Sequence, residues 1–234
     1  MPPDVGVVVV AAGRGDRVGG DVPKQFLPVA GVPLLLRALR PFLSHPEVAT
    51  VVVALPAAVV EHPPEWLAPL LGDRLIAVAG GADRMSSVEA GLNALPLACG
   101  VVLVHDGARP FPDTGVIDRI IREARHGAGA IAAVPVTDTI KEAERRSIGA
   151  HQRIARTLPR DGLWSARTPQ GFPRSMLEAA YADARALEVV ATDCASLVER
   201  IGGEVVLVSD VGTNLKVTTP ADLRIAEAIA GGQS

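Results

Sequence analysis

The apolar run Val5–Val10 leads into Ala11-Ala12-Gly13-Arg14-Gly15-Asp16-Arg17, and Pro23-Lys24-Gln25 follows shortly after. Glycine lets a backbone approach an anion closely, and Arg17 and Lys24 bring two full positive charges to the same turn region, so this order points to a phosphate site. The plain alternative is a surface loop with scattered arginines. A dinucleotide-binding fingerprint fits less well, because it needs glycines at fixed offsets and an acidic residue after the next strand to hold a ribose. Gly13, Gly15 and Gly19 miss that spacing by one residue, and no Asp or Glu follows Val48–Leu55 where it is needed.

His105-Asp106-Gly107-Ala108-Arg109-Pro110 follows the apolar run Val101–Val104, which puts Asp106 at a strand end beside the glycine loop. A single carboxylate there suffices for Mg²⁺, which takes few protein ligands and completes its shell with phosphate oxygens and water. The structural alternative is an Asp that caps the following loop. Gly80-Gly81-Ala82-Asp83-Arg84-Met85-Ser86-Ser87 also comes after a strand candidate and opens a helix. It offers backbone N–H donors, hydroxyls and a cation that could grip a base or ribose, with Asp83 as an N-cap. Basic charge is almost all arginine, and the three lysines are Lys24, Lys141 and Lys216. Such a bias singles each lysine out for a role that needs a compact ammonium. Thr139, Lys141, Arg160, Arg167, Thr168, Thr192 and the Asn214-to-Thr218 stretch supply hydroxyls and cations of the kind that fix a phosphomonoester. Taken singly, each also suits a solvated surface.

The elements that must carry these residues alternate. Apolar runs at Val5–Val10, Val48–Ala54, Leu75–Ala79, Val101–Val104, Ala130–Val136 and Glu204–Val208 predict strands. Helices are predicted at Pro33–Ser44, Asp83–Leu95, Asp113–His126, Pro173–Ala186, Cys194–Ile201 and Pro220–Ala230. Strands with continuous hydrophobicity are covered on both faces, so the expected fold is α/β, a doubly wound, mostly parallel sheet in a three-layer sandwich. Ligands then sit at the strand C-terminal ends. Residues 1–234 are read as a single domain. Asp138–Arg167, charged and too long for an ordinary connection, is expected to project from it as a dimerisation arm that packs through Ile140, Ile148, Ile154 and Leu158.

Composition limits the partners. The chain has 234 residues, 48% hydrophobic and 21% charged, with a formal net charge of -3. That leaves no global basic field for nucleic acid or an anionic membrane, so any anion site must be local. No apolar run approaches the ~20 residues of a spanning helix and the start lacks a basic leader segment, which predicts a cytoplasmic protein. Cys99 and Cys194 stand apart from any metal or disulfide pattern and read as small buried hydrophobes. The Arg14-Gly15-Asp16 adhesion tripeptide has no receptor inside a cell.

Read in order, these motifs resemble the 2-C-methyl-D-erythritol 4-phosphate cytidylyltransferases of the non-mevalonate isoprenoid pathway. The markers are Ala11-Ala12-Gly13-x-Gly15-x-Arg17, Pro23-Lys24-Gln25, Gly80-Gly81-x-x-Arg84-x-x-Ser87-Val88, His105-Asp106-x-Ala108-Arg109-Pro110, Asp138-Thr139-Ile140-Lys141, Thr168-Pro169-Gln170-Gly171-Phe172, Thr192-Asp193 and Lys216-Val217-Thr218. The glycine loop alone is shared by many sugar-phosphate nucleotidyltransferases, with their Rossmann-like fold, whereas the Asp106–Arg109 and Thr168–Phe172 pieces together are selective. The resemblance implies transfer of CMP from CTP to methylerythritol phosphate with Mg²⁺, in a homodimer whose arms interlock. It implies that Arg17 and Lys24 meet the α-phosphate and the leaving pyrophosphate, and that Asp106 holds the magnesium. Ala11, Ala12, Gly13, Gly15, Gly81, Asp83, Arg84, Ser87 and Asp106 would contact the nucleotide. Asp106, Gly107, Ala108, Arg109, Thr139, Arg160, Thr168, Thr192 and Lys216 would hold the acceptor, with Thr139 and Arg160 offered by the partner's arm and Arg160 and Lys216 joining the catalytic set. His105 would be structural, since a phosphomonoester is already largely ionised near neutral pH and needs no base.

The chain departs from the family pattern at Cys194, where an acidic residue is common after Asp193, at Gly107, where Ala is frequent, and at Thr213, where Asp is often found. Two other readings compete. One is a cytidylyltransferase for ribitol 5-phosphate or another polyol phosphate, which would share the nucleotide half. The other is a catalytically silent nucleotide sensor, which would have no need for Arg17 and Lys24 together.

Overall fold

Valine builds the centre of the molecule. In the computed structural model, which describes residues 2–13, 23–144 and 151–232, the elements in chain order begin with β1 (Val5–Val10), β2 (Pro28–Val29), β3 (Val32–Pro33), α1 (Leu34–Ser44), β4 (Val48–Leu55) and α2 (Ala57–Glu61). They continue with β5 (Leu75–Ala79), α3 (Arg84–Ala94), β6 (Val101–Asp106), α4 (Thr114–Arg125), β7 (Gly129–Pro135), β8 (Ile140–Ala143) and β9 (Ile154–Leu158). The last are β10 (Trp164–Pro173), α5 (Arg174–Ala186), α6 (Cys194–Arg200), β11 (Val205–Ser209) and α7 (Pro220–Gly231).

A seven-stranded sheet runs β11-β7-β10-β6-β1-β4-β5. Every neighbouring pair is parallel except those made by β10, which is antiparallel to both β6 and β7. Side chains alternate across a strand. Val7, Val9, Val51, Val53 and Leu103 therefore pack with Leu35, Leu39 and Phe42 of α1 and Ile117, Ile120 and Ile121 of α4. Val8, Val52, Val102 and Val104 face the other way, onto Val88 and Leu92 of α3, Leu177 of α5 and Leu197 of α6. Each such buried aliphatic contributes roughly 1.5–3 kcal/mol, so two full layers of them fix the three-layer sandwich. A third, smaller cluster joins Ala226 and Ala230 of α7 to Val29, Leu34, Phe111 and Val217, which ties the C-terminal helix to the segment carrying Lys216.

The predicted strands and helices are all present, with ends shifted by a residue or two. Two differences concern the site. Strand β6 runs two residues beyond Val104, so Asp106 stands at the strand end, as expected, and is itself the last residue of the strand. Strand β10 was not anticipated. Trp164, Ser165 and Ala166 pair with Pro135, Val134 and Ala133 of β7, so the projecting segment ends before Trp164 and not at Arg167. What projects is an antiparallel pair, β8 with β9, forming its own two-stranded sheet. Its Ile154 is 61% exposed, whereas Ile148 lies outside the described residues. Within β10, Gly171 is required by packing, since a Cβ there would stand 2.4 Å from Ile120 of α4 and 2.6 Å from Leu103.

Candidate active site

Three loops meet at the C-terminal ends of neighbouring parallel strands. Val10 is in register with Asp106 across β1 and β6, and with Ala54 across β1 and β4. The Gly80 N–H donates to Leu55 O at 2.8 Å, and the Gly107 N–H to Val10 O at 2.9 Å. The loop after β1, the loop before α3 and the turn after β6 thus share the rim of a cavity of about 350 Å³. Of the predicted residues, Ala11, Ala12, Gly13, Lys24, Gly81, Asp83, Arg84, Ser87, Asp106, Ala108 and Lys216 line it.

Close packing shapes the nucleotide side. A Cβ on Gly80 would stand 2.3 Å from Ala12 Cβ and 2.9 Å from Ser87 Oγ. Ser87 Oγ accepts the Gly81 N–H at 3.1 Å and donates to Asp83 O at 2.7 Å. Asp83 caps α3: its carboxylate takes the Ser86 N–H at 2.7 Å and the Ser86 hydroxyl at 2.6 Å. These two bonds hold its pKa below the usual carboxylate range. The N-cap expectation for Asp83 holds, and the cap aims the start of α3 at the cavity. Gln25, missed as a site residue, joins the two halves of the glycine motif, since its Nε2 donates to Ala11 O at 2.9 Å and Gly13 O at 3.3 Å. Gly15 and Arg17 lie outside the described residues.

Asp106 is the electrostatic hub. One oxygen accepts Arg84 Nε at 3.3 Å, and the other lies 2.8 Å from Lys216 Nζ and 3.7 Å from Arg109 Nε. Burial alone would raise its pKa, but the three cations outweigh burial and hold the carboxyl ionised well below the usual range. Three cations meet at this one carboxylate, and Lys24, with its Nζ 3.2 Å from Val217 O, lines the same cavity, as does the Asp83 carboxylate. The cavity therefore favours a polyanion. No group of three or more His, Cys, Asp or Glu able to hold a metal occurs among the described residues. Asp106, ionised and on the cavity wall, still fits Mg²⁺ as its one protein carboxylate if phosphate oxygens complete the shell.

Behind Asp106 stands a buried polar network. Thr168 Oγ1 accepts the Asp106 N–H at 3.0 Å and pairs with His105 Nδ1 at 3.1 Å. His105 Nε2 faces Arg109 O at 3.0 Å. A carbonyl only accepts, so the proton is on Nε2, and Nδ1 accepts from the Thr168 hydroxyl. Burial lowers the His105 pKa to about 4, which keeps the ring neutral and matches its expected structural part. Arg109 Nη1 donates to Asn214 O at 2.9 Å, and Asn214 Nδ2 donates to Thr168 O at 2.9 Å and to Asp210 at 2.8 Å. Arg109 and Thr168 are thus 8% and 4% exposed, and in the structure they brace Asp106. Gly107 sits just beneath, where a Cβ would meet Leu35 at 2.9 Å and Ala11 at 3.0 Å.

The other acceptor candidates stand apart from the cavity. Thr192 is exposed and precedes Asp193, the N-cap of α6. Gln170, also missed, links that cap to β10: its Oε1 accepts the N–H of Cys194 at 3.1 Å and of Ala195 at 3.3 Å, and its Nε2 donates to Asp193 at 2.9 Å. Cys194 and Cys99 are both buried, and Arg84 Nη1 lies 3.7 Å from the Cys194 sulfur. Thr139 is exposed just before β8, and Arg160, exposed after β9, donates to Thr137 O. Neither lines the cavity of its own chain.

A family model described as 2-C-methyl-D-erythritol 4-phosphate cytidylyltransferase (IspD) matches residues 5–231. The chain is 42% identical over 229 residues to the protein of that name from Frankia casuarinae, covering 97% of this chain and 81% of that one. It is 40% identical over 230 residues to the one from Bacillus velezensis, covering 97% and 96%. The crystal structure of 2-C-methyl-D-erythritol 4-phosphate cytidylyltransferase from Thermus thermophilus superposes with a TM-score of 0.77 at 37% identity, covering 96% of this chain and 98% of that one.

Proposed function

The chain belongs to the 2-C-methyl-D-erythritol 4-phosphate cytidylyltransferase family and is a cytidylyltransferase, and on that premise we propose how its residues transfer CMP from CTP to 2-C-methyl-D-erythritol 4-phosphate. The observation that carries the reading is the convergence of Arg84, Arg109 and Lys216 on Asp106 at the strand ends, bounded on one side by the close-packed Gly80–Ser87 loop. A phosphate oxygen of the acceptor attacks the α-phosphorus of CTP in line. The new P–O bond forms as the bond to the β-phosphate oxygen breaks, and pyrophosphate leaves with that electron pair. Charge accumulates on a crowded centre, so the protein's contribution is positioning and electrostatic stabilisation.

Lys24 and Arg17 meet the α-phosphate and the departing pyrophosphate. Backbone amides near Ala12 and Gly81, with Ser87 behind them, read the cytosine and ribose, while Arg84 serves both the triphosphate and Asp106. Lys216 and Arg109 take the acceptor phosphate, with Thr168 and Thr192 on the same side. Asp106 would hold Mg²⁺, which supplies charge neutralisation to the triphosphate when bound. No residue acts as a base, in keeping with a neutral, wholly buried His105. Thr139 and Arg160, remote from their own cavity, complete that of a second copy reached by the β8–β9 arm, so the working form is a homodimer. The cytoplasm, where CTP is made, is the compartment this chemistry implies. No helix among the described residues is long and apolar enough to cross a membrane.

Phosphorus NMR of the chain with CTP, Mg²⁺ and methylerythritol phosphate tests this. The expected product shows two coupled diphosphate resonances alongside free pyrophosphate, and a spectrum of unchanged CTP would overturn the proposal.

A further inference from the structure

Lys216 has a side chain that is 41% exposed and turns about several rotatable bonds, so its place beside Asp106 has to be set by the backbone on either side of it. On one side Val217 donates its N–H to Ala108 O at 2.8 Å. On the other side stands Asn214, wholly buried, whose bonds to Thr168 O and Asp210 and from Arg109 join β10, the turn after β6 and the segment that carries Lys216. Asp210 is itself anchored, through its N–H to Ala133 O at 2.9 Å and its carboxylate to Arg167 at 3.3 Å.

We propose that Asn214 is a positioning residue for the acceptor half of the site, setting Arg109 and Lys216 beside the same oxygen of Asp106 before substrate arrives. The inference rests on the reading that those two cations hold the acceptor phosphate. The position needs an uncharged group with two donors, because both of its Nδ2 partners are buried acceptors. A carboxylate there would face a carbonyl and a second carboxylate, and an alanine would leave both acceptors unsatisfied. Preorganised cations save the acceptor the cost of assembling them, so their loss falls on acceptor binding. The loop after β1 and the start of α3, which frame the nucleotide side, are braced separately by Gln25, Ser87 and Asp83.

The test compares wild type with Asn214→Asp and with Asp210→Asn, which weakens the same bridge without burying a new charge. Asp118→Asn serves as a matched control, since it perturbs the His45–Asp118 contact of 3.0 Å far from the cavity. Pyrophosphate release gives KM for methylerythritol 4-phosphate, and calorimetry gives Kd for CTP alone. The expected result is an acceptor KM raised about tenfold or more in Asn214→Asp and about threefold in Asp210→Asn, the scale of a buried hydrogen bond. CTP affinity should stay within about twofold, and Asp118→Asn should change thermal stability only. If Asn214→Asp does not fold, Asp210→Asn alone decides. Equal changes in both substrates, or an unchanged acceptor KM, would overturn the inference. A wild type that ignores methylerythritol phosphate would instead remove the acceptor assignment on which it rests.

Discussion

Replacing His105 with Gln removes a titratable ring from the network behind Asp106, and the structure sets what this does to the pH dependence of stability. The ring is wholly buried and burial holds its pKa at about 4, against 6.5 for a free imidazole. Because the folded value lies below the unfolded one, the unfolded chain binds the proton first. The stability contributed by the neutral ring is therefore complete above about pH 6.5 and is lost as pH falls toward 4. Proton linkage across that gap amounts to about 2 kcal/mol at pH 5, and about 3 kcal/mol once the folded pKa is reached. Protonation also has a local cost. Nδ1 would become a donor toward Thr168 Oγ1, which already takes the Asp106 N–H, and the threonine proton would lose its partner. The assay is urea unfolding of wild type and His105→Gln at about pH 7.5 and pH 5. Subtracting one protein's pH change from the other's cancels the exposed histidines and the packing cost of the substitution. Wild type should lose about 2 kcal/mol more than the variant. Parallel losses would refute the reasoning, because the ring would then not be held neutral by burial.

Three further outcomes follow from the geometry. Lys24→Ala should lower kcat by about a hundredfold or more with little change in CTP affinity, as expected for a donor that acts on charge developed during reaction; single-turnover rates and CTP titration would separate the two. Gly80→Ala should weaken CTP binding and cost about 1–3 kcal/mol of stability, because its Cβ would overlap Ala12 and Ser87; calorimetry with CTP and a melting curve read both. Arg160→Ala should raise the acceptor KM more than the Kd for CTP, and equal losses would remove it from the acceptor site.

Much of this arrangement was legible in the sequence because the parallel strands are runs of valine, alanine, leucine and isoleucine with few polar breaks. Their continuous hydrophobicity marks strands covered on both faces, and their ends place Ala11, Gly81 and Asp106 on one rim. Lys216 was marked by lysine scarcity, and Asp83 by its place before a helical stretch. Strand β10 escaped because it carries Arg167, Pro169, Gln170 and Gly171, none of which signals a strand, and because an antiparallel strand in the centre of a parallel sheet breaks the alternation that predicted the rest. The sequence pattern therefore carries the projecting arm on to Arg167. The bracing residues Gln25, Gln170 and Asn214 escaped for a different reason: a buried amide looks like a surface amide until its partners are known, and those partners lie up to 46 residues away in the chain. Thr168 and Arg109 were singled out, and the structure adds that their polar atoms also hold Asp106 in place.

The most direct measurement is pyrophosphate release with CTP and Mg²⁺ in the presence of methylerythritol 4-phosphate, ribitol 5-phosphate or no acceptor. The account predicts kcat/KM for methylerythritol phosphate at least about tenfold above that for ribitol phosphate, a margin of about 1.4 kcal/mol in transition-state binding, with no release when acceptor is omitted. A preference for ribitol phosphate, or silence with both, would contradict it.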